Sequence, residues 1–324
     1  MNGAGTLPAA SEPGNHLDGK PELLVLRALK LGDLLVAVPA LKALRRAFPE
    51  HRLRYAAQGW LSEALGLVGG YELLPTHGLD EPLAMDAGIV DVAVNLHGSG
   101  PESQGRIEAL KARWTIGHRS EHRDGPPWRN ELHERERWVK LLEWHGIEAD
   151  PLDVQLNTPH VPSPVPGATV LHVGAAYGSR LWPADRFAAV AAALDNAGHR
   201  IVFTGGTGER DRAMDVCRLA GLPDQAVLAG KLGLGEFAAT IAAARLVVSA
   251  DTGAAHLASA YGTTSVVLFG PAPPEIWGPP PGPHVVLTRA ELRRGETFAV
   301  DPDPALLAVT VQDVLSAVRE LGAL

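Results

Sequence analysis

Residues 246–269 read LVVSADTGAAHLASAYGTTSVVLF. Two short apolar runs, 246–249 and 265–269, bracket a segment at 253–260 whose small and apolar residues suit a helix. Strand, helix and strand in that order favour a parallel sheet with helices packed on its faces. Between the first strand and the helix lie Asp251, Thr252, Gly253 and, one turn later, His256. Backbone N–H groups at a helix start, a hydroxyl and a glycine that permits close approach suit an anion such as a diphosphate. A lone histidine there also has an ordinary structural use as a donor.

The same rhythm extends outward in both directions. Upstream, strands are expected at 169–173 and 200–204, with helices at 183–197, 209–220 and 235–243. Residues 157–167, NTPHVPSPVPG, hold four prolines and support neither a long helix nor a central strand, so they read as a linker. Before it the alternation appears again: strands at 23–27 and 90–96, a helix over 34–48, and a helix around Trp138 and His145. The expected organisation is a flexible tail at 1–20, an α/β domain at 21–156, the linker, a second α/β domain at 168–310, and a closing helix at 311–324 that could pack on either domain. In open parallel sheets ligands bind beyond the carboxyl ends of the strands, so the loops there are where chemistry is to be sought.

Length and composition agree with two globular domains. The 324 residues are 46% hydrophobic and 20% charged, which excludes a disordered or fibrous chain. A net charge of −8 excludes a general nucleic-acid binder, which needs a basic field. Locally, residues 27–54 hold seven basic side chains against two acids, and 106–140 hold nine against six. These read either as solvated helix faces or as a surface for an anionic ligand or membrane. The single cysteine, Cys217, cannot pair internally and falls in a helical pattern, which suits a core position and a reducing cytosol. No segment reads as a signal peptide or a membrane span.

Other strand-end loops carry further candidates. In 28–34, ALKLGDL, Asp33 sits at a helix entry, where it is either an N-cap or a general base facing a cleft. In 174–183, GAAYGSRLWP, small residues from Gly174 let a ligand approach the backbone, and Ser179 and Arg180 offer donors to a phosphate. In 204–211, TGGTGERD, the third glycine of a dinucleotide fingerprint is missing, and Glu209 either accepts ribose hydroxyls or steadies a helix start. His118 and His122 have helical metal-ligand spacing without a third ligand, and Asp301-Pro302-Asp303, similar to the D-x-D of some sugar transferases, lies in a proline-rich turn; no metal or cofactor is expected. A nicotinamide oxidoreductase, a nucleotide-sugar epimerase and a non-catalytic nucleotide-sugar binder stand as rivals to a transferase.

Together these loops resemble glycosyltransferase family 9, the bacterial lipopolysaccharide heptosyltransferases and their relatives. The opening stretch matches at Arg27, Gly32-Asp33, Pro39, Leu41, Leu44 and Pro49, and the later stretch matches the family's D-[TS]-G-x-x-H-L-A signature followed by F-G-P. Arg180-x-Trp182-Pro183 and GGTGERD lie between them in the family's order. The resemblance implies a GT-B architecture, two Rossmann-like domains facing across a cleft, and inverting, metal-independent transfer from an ADP-heptose-like donor to a glycolipid or saccharide acceptor. The lone cysteine suits a cytoplasmic protein, and the basic stretch 27–54 suits peripheral attraction to a phosphorylated glycolipid at the inner membrane face. Carried over, Asp33 matches the proposed base. Gly174, Ser179, Arg180, Glu209, Asp251, Thr252, Gly253 and His256 fall on the donor side, and Lys30, Asn95, His97 and Ser99 on the acceptor side. Gly174, Ala175 and Ala176 depart from the hydroxyl residues common there, so donor contacts at that loop would use backbone alone.

Overall fold

The computed structural model describes residues 19–324, so the expected tail at 1–20 lies almost entirely outside the described residues. The chain divides into two compact units, residues 1–157 and 158–324. The first runs β1 (Glu22–Leu26), α1 (Leu31–Val36), α2 (Val38–Ala47), β2 (Arg52–Ala57), α3 (Ser62–Val68), β3 (Glu72–Pro75), β4 (Val90–Asn95), α4 (Pro101–Ala109), β5 (Trp114–Ile116) and α5 (Glu134–Trp144). Its sheet is fully parallel in the order β3-β2-β1-β4-β5. Every residue of β1 is buried, as a central parallel strand covered on both faces requires. Because β2 and β3 are laid down on one side of β1, and β4 and β5 on the other, the winding reverses between β1 and β4.

The second unit repeats this plan. It comprises β6 (Thr169–His172), α6 (Ala184–Asn196), β7 (Ile201–Thr204), α7 (Arg210–Leu219), α8 (Leu234–Ala242), β8 (Leu246–Ala250), α9 (Gly253–Tyr261), β9 (Ser265–Leu268), α10 (Pro274–Trp277), β10 (His284–Leu287), α11 (Pro304–Leu307) and α12 (Val311–Glu320). The parallel order is β10-β9-β8-β6-β7, with its reversal between β6 and β8. Leu171, Trp182, Phe187, Phe203, Val248 and Leu268 anchor the core, and the Trp182 indole N–H donates to the Val309 carbonyl at 3.0 Å. The closing helix, left open between the two domains by its sequence, buries Val314, Ala317 and Val318 in this same core.

Two readings of the sequence change. The helix expected over 34–48 is two helices, broken at Ala37. Pro39 has no N–H to give and its ring would clash with a carbonyl one turn back, so α2 restarts with the proline in its first turn. The basic stretch 27–54 also loses its excess once folded. Arg27 reaches Glu134; Lys42 and Arg46 both hold Asp153, at 2.6 and 2.8 Å; Arg52 holds Glu72 at 2.7 Å; Arg54 holds Glu22 at 2.8 Å. All four of these carboxylates come from outside the stretch, and Arg45 is spent on the Val68 and Gly69 carbonyls. What looked like a basic face is largely paired with carboxylates of neighbouring elements, in part at the surface.

Candidate functional site

In the first unit the loops after β1 and β4 flank the winding reversal. Arg27 ends β1 with 1% of its side chain exposed, donating through Nε to the Asp33 carbonyl at 2.6 Å and through Nη1 to the Leu96 carbonyl. Its Nη2 lies 3.4 Å from Asp33 Oδ1. Asp33 Oδ2 accepts the Lys30 N–H at 3.2 Å, a helix-start contact, yet about a quarter of the side chain stays exposed. The N-cap of α1 is Lys30 and not Asp33, which is the third helical residue and reaches back to the N-cap N–H while its carboxylate keeps lone pairs open to solvent. Beside it the Ala28 N–H donates to His97 Nδ1 at 3.2 Å. Burial, then the Arg27 charge, pushes the His97 pKa down to about 4, so the ring is neutral near pH 7 and its proton sits on Nε2 as a donor.

The second unit has the corresponding loops after β6 and β8. Asp251, at the end of β8 and nearly fully buried, bridges two side chains. Arg180 Nη1 donates to its Oδ2 at 3.0 Å and to its carbonyl at 3.2 Å, while His256 Nε2 stands 3.5 Å from Oδ1. Thr252 is the N-cap of α9, and its hydroxyl is 2.8 Å from that of Ser249. Arg180 Nε is buried with no hydrogen-bond partner among the described residues. A cation fixed by a buried carboxylate, a histidine on the first turn and the amino end of a helix of nine residues form a preorganised place for an anionic group.

Residues 153–299 match a family model. The matching family is glycosyltransferase family 9, described as heptosyltransferase. Among curated proteins, lipopolysaccharide heptosyltransferase 2 of Salmonella typhimurium is 28% identical over 158 residues, 46% of this chain and 44% of that protein. The chain thus spans less than half the length of the curated relatives it matches. A family 9 glycosyltransferase structure from Veillonella parvula superposes with a TM-score of 0.71 at 20% identity, covering 96% of this chain and 98% of that one. An E. coli heptosyltransferase solved with ADP gives 0.69 at 18% identity over 93% and 99%. The two parallel α/β units with these neighbours have the expected GT-B fold class.

Several residues carried over from family 9 sit differently from expectation. Ser179 is buried, its hydroxyl donates to the Thr297 carbonyl at 2.8 Å, and its backbone joins Ala299 and Asp303; it braces the 294–303 loop. A Cβ on Gly174 would lie 2.0 Å from the Glu209 carboxylate, so the missing side chain makes room for Glu209. Glu209 Oε2 accepts the Gly206 N–H at 2.5 Å, a helix-start contact, while the residue stays partly exposed. Asn95 is fully buried and spent within its loop: Oδ1 accepts the His97 N–H at 3.0 Å, and Nδ2 reaches Ser103 Oγ at 3.2 Å. It holds His97 in place. Ser99 accepts from Gln104 through its carbonyl at 2.7 Å.

The metal candidates have structural uses as well. Asp303 caps α11 through Ala305 and accepts two further backbone N–H groups, from Arg294 and Gly295. His118 is buried against Trp128 and Trp138, with Nδ1 3.2 Å from the Pro126 carbonyl. Cys217 is a core residue, its thiol pushed up by burial. Sequence reading missed Glu134 and His172. Glu134 lies far along the chain from Arg27, and only folding joins them. His172 ends β6 and lies 3.0 Å from Thr204 Oγ1 and 5.4 Å, ring to ring, from Phe237; the position at a strand end was its only signal.

His118 also gives a stability signature. Burial pushes its pKa down to about 4, and protonation would place a second N–H on Nε2, which is buried without a partner. Because the folded value lies below the unfolded one, the contribution is full above about pH 6.5 and is lost as pH falls toward 4. It amounts to about 3 kcal/mol by linkage. Denaturant midpoints measured from pH 7 to pH 4 should fall accordingly, and less steeply in His118→Gln.

Proposed function

We propose that this protein is an inverting, metal-independent glycosyltransferase that moves a heptose-like sugar from an ADP-heptose-type donor to a saccharide or glycolipid acceptor of lipopolysaccharide-type biosynthesis. The observation that carries the reading is the Arg180–Asp251–His256 bridge at the start of α9, inside the segment that matches family 9. The E. coli neighbour solved with ADP supports the choice of nucleotide. Each unit binds one reactant in this reading. Arg180, His256 and the first N–H groups of α9 hold the diphosphate, and Glu209 takes the ribose hydroxyls. Lys30 and the His97 Nε2–H, with the Ser99 loop beside them, receive the acceptor.

Inversion calls for one displacement at the anomeric carbon. The acceptor hydroxyl oxygen attacks that carbon from the face opposite the diphosphate, and its proton passes to the Asp33 carboxylate. As the new C–O bond forms, the bond to the diphosphate breaks and its electron pair leaves with ADP. Charge growing on the leaving oxygens is met by the fixed cation and the helix N–H groups, the role a divalent ion has in other transferases. Among the described residues no helix is long and apolar enough to cross a membrane. We place the protein in the cytoplasm, and since its basic stretch is internally paired, any contact with a membrane face would come through the acceptor.

A nucleotide panel tests the reading. Thermal unfolding with ADP, UDP, GDP and NAD should show selective stabilisation by ADP, roughly 2.7 kcal/mol at a hundredfold excess over its dissociation constant. Stabilisation by UDP or GDP alone would change the donor, and by NAD alone would remove the transferase reading.

A further inference from the structure

The guanidinium of Arg27 is gripped from a second direction. Nη2 lies 3.6 Å from Glu134 Oε2 as well as 3.4 Å from Asp33 Oδ1, and the ring of Trp138 lies 4.8 Å below the guanidinium carbon. Glu134 and Trp138 are one turn apart on α5, so a single helix face supplies both. The other Glu134 oxygen accepts from Arg137 Nε at 2.8 Å, with both side chains less than a tenth exposed. Arg137 in turn donates to the Arg129 and Leu132 carbonyls and covers the ring of Trp128 at 4.0 Å. Burying the three ionised groups Arg27, Glu134 and Arg137 costs several kcal/mol each unless every one is paired, and a helix-start contact alone needs no such assembly.

We propose that Glu134 and Arg27 are positioning residues for the base: Glu134, carried on α5, shares the Arg27 guanidinium with Asp33, fixing the carboxylate while leaving it able to take a proton. The inference rests on the reading of Asp33 as the base. An arginine paired with Asp33 alone would stabilise its ionised form and weaken it as a base. A second carboxylate competing for the same Nη2 loosens that hold. Once Asp33 is protonated, Arg27 keeps Glu134 as its counter-ion, so the buried cation never stands unpaired.

The groups facing Asp33 are Arg27 from β1, Lys30 from its own loop, Tyr55 from β2, His97 from the loop after β4, and Glu134 with Arg137 behind it from α5. Burial disfavours the charged forms of Tyr55 and His97, so the acid and base side chains that bear on Asp33 are Arg27, Lys30, Glu134 and Arg137.

The test is the kcat–pH profile of the full chain and its Glu134→Gln, Glu134→Asp, Arg27→Gln and Asp33→Asn variants, with folding checked by melting and donor-side integrity by ADP affinity. Glu134→Gln should lower kcat about tenfold with donor KM within about twofold, and move the acid limb down by about one pH unit, since the cation is then left wholly to Asp33. Glu134→Asp should recover most of that rate. Arg27→Gln should move the acid limb the opposite way; if it does not fold, the Glu134 pair decides. An unchanged profile in Glu134→Gln, or equal losses in the Gln and Asp variants, overturns the inference. Should Asp33→Asn itself keep its rate, the base reading fails and this inference falls with it.

Discussion

Replacing Asp33 by asparagine is expected to slow sugar transfer by about 10²- to 10⁴-fold, the usual worth of a positioned general base. Asparagine keeps the shape and can still accept the Lys30 N–H that caps α1, so melting should change little. The carboxylate's charge is what disappears, and with it the proposed acceptor of the proton. ADP affinity should be unaffected, because the proposed diphosphate site, Arg180, His256 and the start of α9, lies in the other unit. Steady-state rates combined with ADP titration separate these effects. A variant that transfers at near wild-type rate while folded removes Asp33 from the chemistry.

The second large effect is expected at Arg180. In Arg180→Ala the diphosphate loses a cation, and Asp251, nearly buried, keeps its negative charge facing the same place. Lost charge-assisted hydrogen bonds and exposed like charge act in the same direction, so the dissociation constant for ADP should rise about a hundredfold. Arg180→Lys should recover only part of this, since a single ammonium nitrogen would have to serve both Asp251 oxygens and the diphosphate, whereas the guanidinium holds those oxygens through Nη1 and leaves its other nitrogens for the anion. Calorimetric titration of ADP into the three proteins measures the difference. Equal affinity in Arg180→Ala and wild type would mean that the bridge with Asp251 is purely structural.

These predictions lean on residues that the sequence made visible, and the physical reason is contiguity. The loop between β8 and α9 holds Asp251, Thr252, Gly253 and His256 within six residues, and the strand before it and the helix after it are plain from their apolar runs. Asp33 is visible for the same reason. What was hidden depended on pairings between distant segments. Glu134 reads as one acid in a charged helix until α5 packs beside α2 and turns it toward Arg27. Arg52 and Arg54 looked like part of a basic face, whereas β2 places them opposite Glu22 and Glu72 on neighbouring strands. Gly174 and Ser179 show the converse case. Their types fit a ligand loop, but only the fold reveals that Glu209 and the 294–303 loop already occupy them.

The most direct test of the central claim is to follow ADP-heptose and a heptose-free lipopolysaccharide core acceptor with the full-length protein, measuring ADP release together with the anomeric configuration of the product by NMR. The account predicts release that depends on the acceptor and a product inverted at the anomeric carbon. Donor binding with no acceptor-dependent release would contradict the transferase reading, and release with retained configuration would contradict the single displacement built around Asp33.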